Sequence, residues 1–280
     1  MKNSEIHIRD PFILTEGDTY YMYGTRAKDF GRFVGGFDVY VSKDLENWSE
    51  PIACFDSDAF GMNKEVNWAP EVHKYGDAYY MFATFTDGLR GTYILKADKP
   101  TGPFKPHSDG KVTPQEWECL DGTLYVEDGV PYLVFCHEHT QILDGAMCYI
   151  ALFPDLTHAV GEPQTLFTAS EPQWVTEKDP LAHYITDGPY MFRTKKNVLL
   201  MIWSTFIDGQ YAECVVRFGG GSIKGAIEHL APLIDNDGGH GMIFRAKDKL
   251  YLTYHTPNTV GRERPAFIEL ADNGGTVSKK

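Results

Sequence analysis

The sequence lacks the features that mark several large classes of protein. Its five cysteines are an odd number and form no Cys-x-x-Cys pair, which argues against a disulfide framework and a thiolate zinc site. It has no apolar run of membrane-spanning length, and a net charge of −13 disfavours nucleic-acid and anionic-membrane partners. No P-loop, Gly-x-Gly-x-x-Gly motif or nucleophile elbow precedes a helix, so phosphate-loop, dinucleotide and serine-hydrolase chemistry have little support.

We also expect no targeting segment. The chain starts Met1-Lys-Asn-Ser-Glu and enters its first repeat without an apolar signal segment. Cys136 and Cys148 lie in apolar stretches, as buried free thiols do. These observations predict a protein of the reducing cytoplasm, and they leave its oligomeric state open.

The sequence does contain a short pattern that occurs five times. The two clearest copies, residues 10–25 and 69–84, align without a gap at an offset of 59 residues. Three further copies begin at Asp121, Asp187 and His240. Each copy has an apolar run, a turn with Gly, Asp or Asn, and a second run rich in Tyr, Val or Leu, which predicts a β-hairpin. Such self-similarity indicates supersecondary units stacked around a shared core.

Further apolar runs after most hairpins extend each unit to about four strands. Five such units predict an all-β fold, a five-bladed β-propeller, because closed radial repetition hides most sheet edges. A β-sandwich also has many short strands, but it does not require its hairpins to resemble one another. Neither helical periodicity nor a long linker interrupts the pattern, so we expect residues 1–280 to form one propeller domain.

Propeller geometry brings the repeats together at one mouth. The first strand of a blade runs beside the axis and the second returns antiparallel to it, so the start of one shares a face with the end of the other. The expected starts of the first strands are Asp10, Ala69, Asp121, Asp187 and His240. A single aspartate before a strand is usually a turn residue. Three aspartates converging near an axis instead indicate a site.

A cluster of carboxylates suits glycoside cleavage. That reaction uses one carboxylic acid to protonate the leaving oxygen and one carboxylate to act at the anomeric centre; inverting enzymes hold the pair roughly 6.5–9.5 Å apart to admit a water. A third carboxylate can raise the pKa of the acid by like-charge repulsion. We therefore expect a small oligosaccharide as the substrate.

These motifs resemble those of glycoside hydrolase family 43. The resemblance rests on Arg9-Asp10-Pro11-Phe12-Ile13, on Trp68-Ala69-Pro70-Glu71-Val72, and on the segments headed by Asp121, Asp187 and His240. It covers nearly the whole chain and implies a five-bladed propeller that cleaves arabinose- or xylose-containing glycans with inversion, as an α-L-arabinofuranosidase or β-xylosidase does.

The resemblance also implies roles for single residues. Asp10 falls at the general base, Asp121 at the carboxylate that adjusts the pKa of the acid, and His240 at the axial histidine that in many relatives helps to hold a water or a calcium ion. It implies no required cofactor and allows a calcium ion near His240. The family's general acid is a Glu before Gly-Pro or Ala-Pro, and this chain has Asp187 there.

Because aspartate is one methylene shorter than glutamate, two other carboxylates are also candidates for the acid. Glu138 ends a second strand at the expected face, with the alternative that it is a rim residue paired with His137 or His139. Glu118 lies in a Glu-Cys pair like the one that carries the acid in the related family 32 fructan hydrolases. The opening Trp-Met-Asn-Asp-Pro segment of that family is missing here, so we interpret Glu118 as a strand-entry charge.

Five residues near the expected mouth are candidates for binding the substrate. They are Arg26, Trp68, Glu71, His137 and His255. Trp68 precedes a repeat head, where its ring would stack on a sugar face or pack into the core with equal odds.

Two other functions stay open on the sequence. One is a propeller that binds glycans without cleaving them, since the fourth-blade Glu is absent. The other is a family 130-like glycoside phosphorylase. That enzyme would need a cluster of basic side chains to hold phosphate, and only Arg26, with Arg9 or Arg90 nearby, is available.

Overall fold

A computed structural model of the chain describes residues 1–27, 35–62, 66–175 and 184–280. These residues form five four-stranded antiparallel sheets, and in each sheet strands consecutive in the chain are neighbours. This arrangement confirms the predicted all-β, five-bladed propeller.

Each blade is one continuous segment of the chain. Blade 1 contains β1 (Ile8–Glu16), β2 (Thr19–Arg26), β3 (Gly36–Ser42) and β4 (Ile52–Asp56). Blade 2 contains β5 (Asn67–Tyr75), β6 (Ala78–Asp87), β7 (Leu89–Ala97) and β8 (Lys105–Pro106). Blade 3 contains β9 (Cys119–Glu127), β10 (Val130–His137), β11 (Ala146–Leu152) and β12 (Ala159–Thr168). Blade 4 contains β13 (Asp187–Arg193), β14 (Leu199–Ile207), β15 (Gln210–Phe218) and β16 (Ile227–Ile234). Blade 5 contains β17 (Gly239–Ala246), β18 (Lys249–Thr256), β19 (Arg264–Asp272) and β20 (Val277–Lys279). Within the described ranges the one α-helix is α1 (His139–Ile142).

The burial of the second strands explains the long apolar runs in the repeats. A second strand lies between two strands of its own blade and packs against neighbouring blades on both faces. In β6 every residue except Asp87 is buried, and in β14 the first seven residues are buried. Burial of both faces selects apolar residues at every position rather than at every other one.

The ring closes through side chains, because blades 1 and 5 share no strand. Nη1 of Arg9 lies 2.8 Å from Oε1 of Glu263, which is fully buried. The Nδ1 atom of His7 lies 3.1 Å from the carbonyl oxygen of Gly261. A buried ion pair at this junction is sensitive to the loss of either partner, since the other charge would be left uncompensated.

The first strand of each blade has a residue with a positive φ angle at its second or third position. These residues, here called the strand heads, are Asp10 (53°), Ala69 (45°), Asp121 (55°), Gly188 (51°) and His240 (51°). At each head the pairing register between the first and second strands shifts, as in a β-bulge. A left-handed backbone is uncommon for residues other than glycine, and clustering of such residues is typical of functional sites.

Hydrogen bonds from the preceding blade hold the heads in this conformation. The backbone N–H of Ala69 donates to Oγ1 of Thr25 (2.7 Å), and the N–H of Asp121 donates to Oγ1 of Thr84 (3.0 Å). The N–H of His240 donates to Oγ of Ser204 at 2.6 Å. The hydroxyl residues belong to second strands, so each bond joins one blade to the next.

The hydrogen bond from the N–H of Asp121 to Oγ1 of Thr84 can be tested by mutation. Thr84 and Thr92 form a cross-strand pair in blade 2 and are both fully buried. Thr84→Val removes the acceptor of the Asp121 N–H and leaves a buried donor unpaired, so the free energy of unfolding should fall by about 1–3 kcal/mol. Thr92→Val is the matched control, because Oγ1 of Thr92 has no hydrogen-bond partner within the described residues. Urea denaturation checks both variants, and equal losses would contradict the proposed importance of the bond.

Candidate active site

The strand heads surround a small cavity at one mouth of the propeller. It has a volume of about 80 Å³ and is lined by Arg9, Asp10, Trp68, Leu120, Asp121, Asp187 and His240. Every lining residue is a strand head or the residue immediately before one. The three aspartates that the sequence singled out therefore meet, and His240 lies among them.

Asp187 occupies a different position in its blade from the one expected. The comparison of the five repeats predicted that it is equivalent to Asp10, but the residue with the positive φ angle in blade 4 is Gly188. Asp187 pairs with Ser204, as Arg9 pairs with Thr25. It is therefore equivalent to Arg9, and its carboxyl group enters the cavity from the position before the head.

Asp10 is buried and surrounded by groups that favour its ionised form. Oγ1 of Thr25 donates to Oδ2 of Asp10 at 2.6 Å, and Nδ1 of His240 lies 3.1 Å from Oδ1. Burial acts to raise the pKa of Asp10, but the positive charges of His240 and Arg9, with the Thr25 hydrogen bond, lower it overall. Asp10 is thus an ionised carboxylate at neutral pH.

Asp121 and Asp187 differ from Asp10, because both hold their proton more tightly than ordinary aspartates. Burial raises the pKa of Asp121, and repulsion from Asp187 and Asp10 raises it further. Burial also raises the pKa of Asp187, with added repulsion from Glu138 and Asp10. The two carboxyl groups interact, so they titrate as a pair and retain a proton where isolated aspartates have lost theirs.

His240 is the positive centre of the cluster. Besides its contact with Asp10, Nδ1 lies 3.7 Å from Oδ2 of Asp121. Burial alone would lower the pKa of His240, but the charges of Asp10, Asp121 and Asp187 raise it to about 9. The imidazole is therefore protonated at neutral pH.

A calcium ion near His240 stays a prediction. Calcium takes oxygen ligands, and carboxylate oxygens of Asp10 and Asp121 lie 3.1 Å and 3.7 Å from Nδ1 of His240. In the described part of the chain no group of three or more His, Cys, Asp or Glu side chains is arranged to hold a metal.

Of the five expected substrate-binding residues, Trp68 alone lines the cavity. Its ring lies beneath the guanidinium of Arg90, whose central carbon is 5.8 Å from the ring centroid. The carboxylate of Glu71 contacts Nε2 of His73 at 3.0 Å on the inner strand of blade 2, outside the cavity lining. Trp68 is thus the one of these five residues that borders the cavity.

Arg26 and His137 are engaged elsewhere. Nε and Nη2 of Arg26 each donate to a carboxylate oxygen of Asp38 at 2.8 Å. The ring of His137 stacks on Trp117 with a centroid distance of 4.0 Å. Neither side chain lines the cavity, and each is held by a partner that also lies outside the lining.

His255 holds the backbone of Asp10. Its Nδ1 accepts the backbone N–H of Asp10 at 3.2 Å, so Nε2 carries the proton and donates to Oδ1 of Asn258 at 3.2 Å. Burial and the nearby charge of Arg9 lower the pKa of His255 to about 3. This fully buried, neutral histidine positions Asp10 rather than lining the cavity.

Glu138 and Glu118 are both bound by Arg90. Nη2 of Arg90 lies 2.7 Å from Oε2 of Glu138, and Nε donates to Oε2 of Glu118 at 3.0 Å. Glu138 also contacts Nδ1 of His139. Burial acts to raise the pKa of Glu138, but His139 and Arg90 lower it overall, so it is ionised. The rim pairing with a histidine, which the sequence left as an alternative, is present.

Two residues of β15 were missed by the sequence analysis. The Tyr211 hydroxyl donates to Oδ2 of Asp187 at 2.8 Å. Oε2 of Glu213 accepts the backbone N–H of Gly241 at 2.8 Å, and Oγ of Ser204 donates to it at 3.3 Å. Burial raises the pKa of Glu213 to about 8. The available signal was a charged residue inside a run that is otherwise apolar.

Comparison with known proteins agrees with this geometry. The profile of the family described as glycosyl hydrolases family 43 matches residues 4–270. This chain belongs to glycosyl hydrolase family 43. The solved endo-arabinase from Bacteroides thetaiotaomicron VPI-5482 is 34% identical, covers 99% of this chain and 98% of its own, and superposes with a TM-score of 0.89. The solved endo-1,4-β-xylanase from the same organism is 22% identical with a TM-score of 0.80, over 100% of this chain and 96% of its own, which is evidence of a shared fold.

A curated relative bears on location. The extracellular exo-α-(1→5)-L-arabinofuranosidase ArbA of Cellvibrio japonicus is 23% identical over 146 residues, which span 44% of this chain and 38% of ArbA. The chain thus matches less than half of the length of that relative. Because ArbA is extracellular, the prediction of a cytoplasmic location is contradicted; the five free, buried thiols do not report on compartment. No helix in the described ranges is long and apolar enough to cross a membrane.

The burial of Glu213 predicts a pH effect on stability. Its pKa is about 8 in the folded protein against an ordinary value of 4.5, so its contribution is full below pH 4.5 and is lost as the pH rises through 8. Glu213→Gln keeps an acceptor for Gly241 and cannot ionise, so its free energy of unfolding should fall less than that of the wild type between about pH 5 and 8. Urea denaturation across this range checks it, with the exposed Glu50→Gln as control. Parallel curves for wild type and Glu213→Gln would refute the prediction.

Proposed function

We propose that this family 43 glycosidase is an inverting hydrolase of arabinose-containing oligosaccharides, with residues 1–280 as its catalytic propeller domain. The observation that carries the proposal is the different protonation of three carboxyl groups around one cavity. Asp10 is ionised, while the Asp121–Asp187 pair retains a proton. Glycoside cleavage requires one carboxylate and one carboxylic acid at the same site.

The comparisons favour arabinose over xylose. The endo-arabinase is 34% identical over nearly the whole chain, whereas the xylanase is 22% identical and supports the fold alone. ArbA, which also matches, acts on α-1,5-linked arabinose by its name. Arabino-oligosaccharides are therefore the first substrates to test, and xylo-oligosaccharides the second.

Asp10 is suited to activate the attacking water. It is ionised, its carboxylate is oriented by Thr25 and His240, and its backbone is held by His255. As general base it would take a proton from the water that attacks the anomeric carbon.

Asp187 is the better candidate for the general acid. It lines the cavity, and burial raises its pKa, so it can enter the reaction with a proton. Glu138 has a lowered pKa and is bound by Arg90. Asp121 would keep the acid protonated through like-charge repulsion, as the resemblance implied.

The phosphorylase alternative has little support from these contacts. A phosphate site needs basic side chains that are available for an anion. Arg9 is paired with Glu263, Arg26 with Asp38, and Arg90 with two glutamates. A glycan-binding propeller without catalysis remains the second candidate, and the absence of turnover would favour it.

The role of the base gives the first activity test. Asp10→Asn keeps the shape of the side chain and removes its basic oxygen, so hydrolysis of arabino-oligosaccharides should fall by roughly 10²–10⁴. Initial rates measured by product chromatography check this, with the exposed Asp18→Asn as control. Retention of wild-type rates by Asp10→Asn would rule Asp10 out.

The role of the acid is tested by its dependence on the leaving group. Asp187→Asn should slow hydrolysis of oligosaccharides by roughly 10²–10⁴ and spare nitrophenyl arabinofuranoside, whose leaving group needs little protonation. Glu138→Gln is the matched comparison and should not show this dependence. If Glu138→Gln alone slows the oligosaccharides while sparing the nitrophenyl substrate, the acid is Glu138.

A further inference from the structure

One blade departs from the pattern that lines the cavity. In four blades the residue before the strand head points a side chain into the lining; these residues are Arg9, Trp68, Leu120 and Asp187. In blade 5 the equivalent residue is Gly239, which pairs with His255. A Cβ atom on Gly239 would lie 2.8 Å from Cε1 of Tyr211 and 2.7 Å from Oγ of Ser204. Glycine at this position therefore makes room for the ring of Tyr211.

Tyr211 comes from β15, the third strand of blade 4, and reaches the first strand of the same blade. It is 1% exposed, and its hydroxyl donates to Oδ2 of Asp187 at 2.8 Å. Its ring stacks on His255 with a centroid distance of 5.5 Å and an interplanar angle of 26°. The ring is thus fixed by the same histidine that holds the backbone of Asp10.

This contact constrains the carboxyl group of Asp187. A protonated carboxyl group has one oxygen that carries the proton and one that accepts hydrogen bonds. Burial raises the pKa of Tyr211 well above its usual value, so the hydroxyl keeps its proton and donates it in the hydrogen bond to Oδ2 of Asp187. Oδ1 is then the oxygen left to carry a transferable proton.

We propose that Tyr211 is the positioning residue of the general acid: its hydroxyl binds Oδ2 of Asp187 and so reserves Oδ1 for the proton that is given to the leaving oxygen. The proposal rests on the proposed function, in which Asp187 is the acid.

The proton and electron balance of the step is complete. The proton on Oδ1 of Asp187 passes to the glycosidic oxygen, whose bond to the anomeric carbon breaks, and the leaving sugar departs as an alcohol. A water adds to the anomeric carbon, gives one proton to Asp10 and keeps the other as the new anomeric hydroxyl. Tyr211 keeps its proton, and its hydrogen bond strengthens as Asp187 becomes a carboxylate. A contact that strengthens during the reaction lowers the barrier.

Tyr211→Phe tests the proposal because it keeps the ring, its stacking on His255 and its packing against Gly239 while deleting the hydroxyl. The kcat on arabino-oligosaccharides should fall roughly 10- to 100-fold with little change in KM. Hydrolysis of nitrophenyl arabinofuranoside should fall much less. The hydrogen bond favours the ionised form of Asp187, so its loss should raise the pKa of the acid and move the alkaline limb of the pH profile to higher pH.

Tyr254→Phe is the matched control, since Tyr254 is a partly buried tyrosine of blade 5 that does not line the cavity. It should leave the kcat and the pH profile unchanged. If Tyr211→Phe lowers the rate equally on both substrates and leaves the pH profile unchanged, Tyr211 has only a structural role and the proposal is overturned. A wild-type kcat of Tyr211→Phe on oligosaccharides would also overturn it.

A readout without turnover separates this proposal from the proposed function. Titration of ¹³C-labelled aspartate carboxyl groups by NMR, with Asp187→Asn to assign the signal, should show a higher pKa for Asp187 in Tyr211→Phe than in the wild type. An unchanged pKa overturns the positioning role even if the enzyme is active. A wild type that cleaves no glycoside refutes the proposed function and the acid role, while the titration still reports whether Tyr211 binds Asp187.

Discussion

The site depends on one interaction, the hydrogen bond that joins the N–H of a strand head to the second strand of the preceding blade. It holds the heads at positive φ, and in blades 1, 3 and 5 the heads Asp10, Asp121 and His240 line the cavity. In blade 4 the second strand of the preceding blade offers Cys136, and the N–H of Gly188 instead donates to Oδ2 of Asp121 at 3.1 Å. The same bonds therefore join the blades and place the reactive carboxyl groups, which links stability to function.

The second organising feature is charge. Three buried carboxyl groups cannot all be ionised in so small a volume, and His240 supplies one compensating positive charge among them. Asp10 has the shortest of the contacts with His240, and it is the one whose pKa is lowered. The other two share the remaining proton. The imidazolium of His240, with the guanidinium of Arg9 beside Asp10, thus divides one cluster into a base and an acid.

Much of this could be predicted from the sequence, because the 59-residue offset between blades 1 and 2 is a periodicity that survives folding without change. Asp10, Asp121 and His240 were found because each stands at the start of a copy of the repeat. The position of Asp187 was not, since the bulge at Gly188 depends on a pairing register that the residue pattern does not reveal. Tyr211 comes from a third strand, and the pairing of Arg26 with Asp38 and of Glu138 with Arg90 is set by packing. These contacts join residues whose proximity no local pattern encodes.

The central claim is that Asp10 activates a water instead of attacking the sugar. The most direct measurement is a ¹H NMR time course of the anomeric signals during hydrolysis of an α-linked arabino-oligosaccharide. Attack by water on the face opposite the leaving group predicts that the β-anomer of the product appears first and that the α-anomer follows only by mutarotation. Initial appearance of the α-anomer would mean a covalent intermediate and would contradict the account.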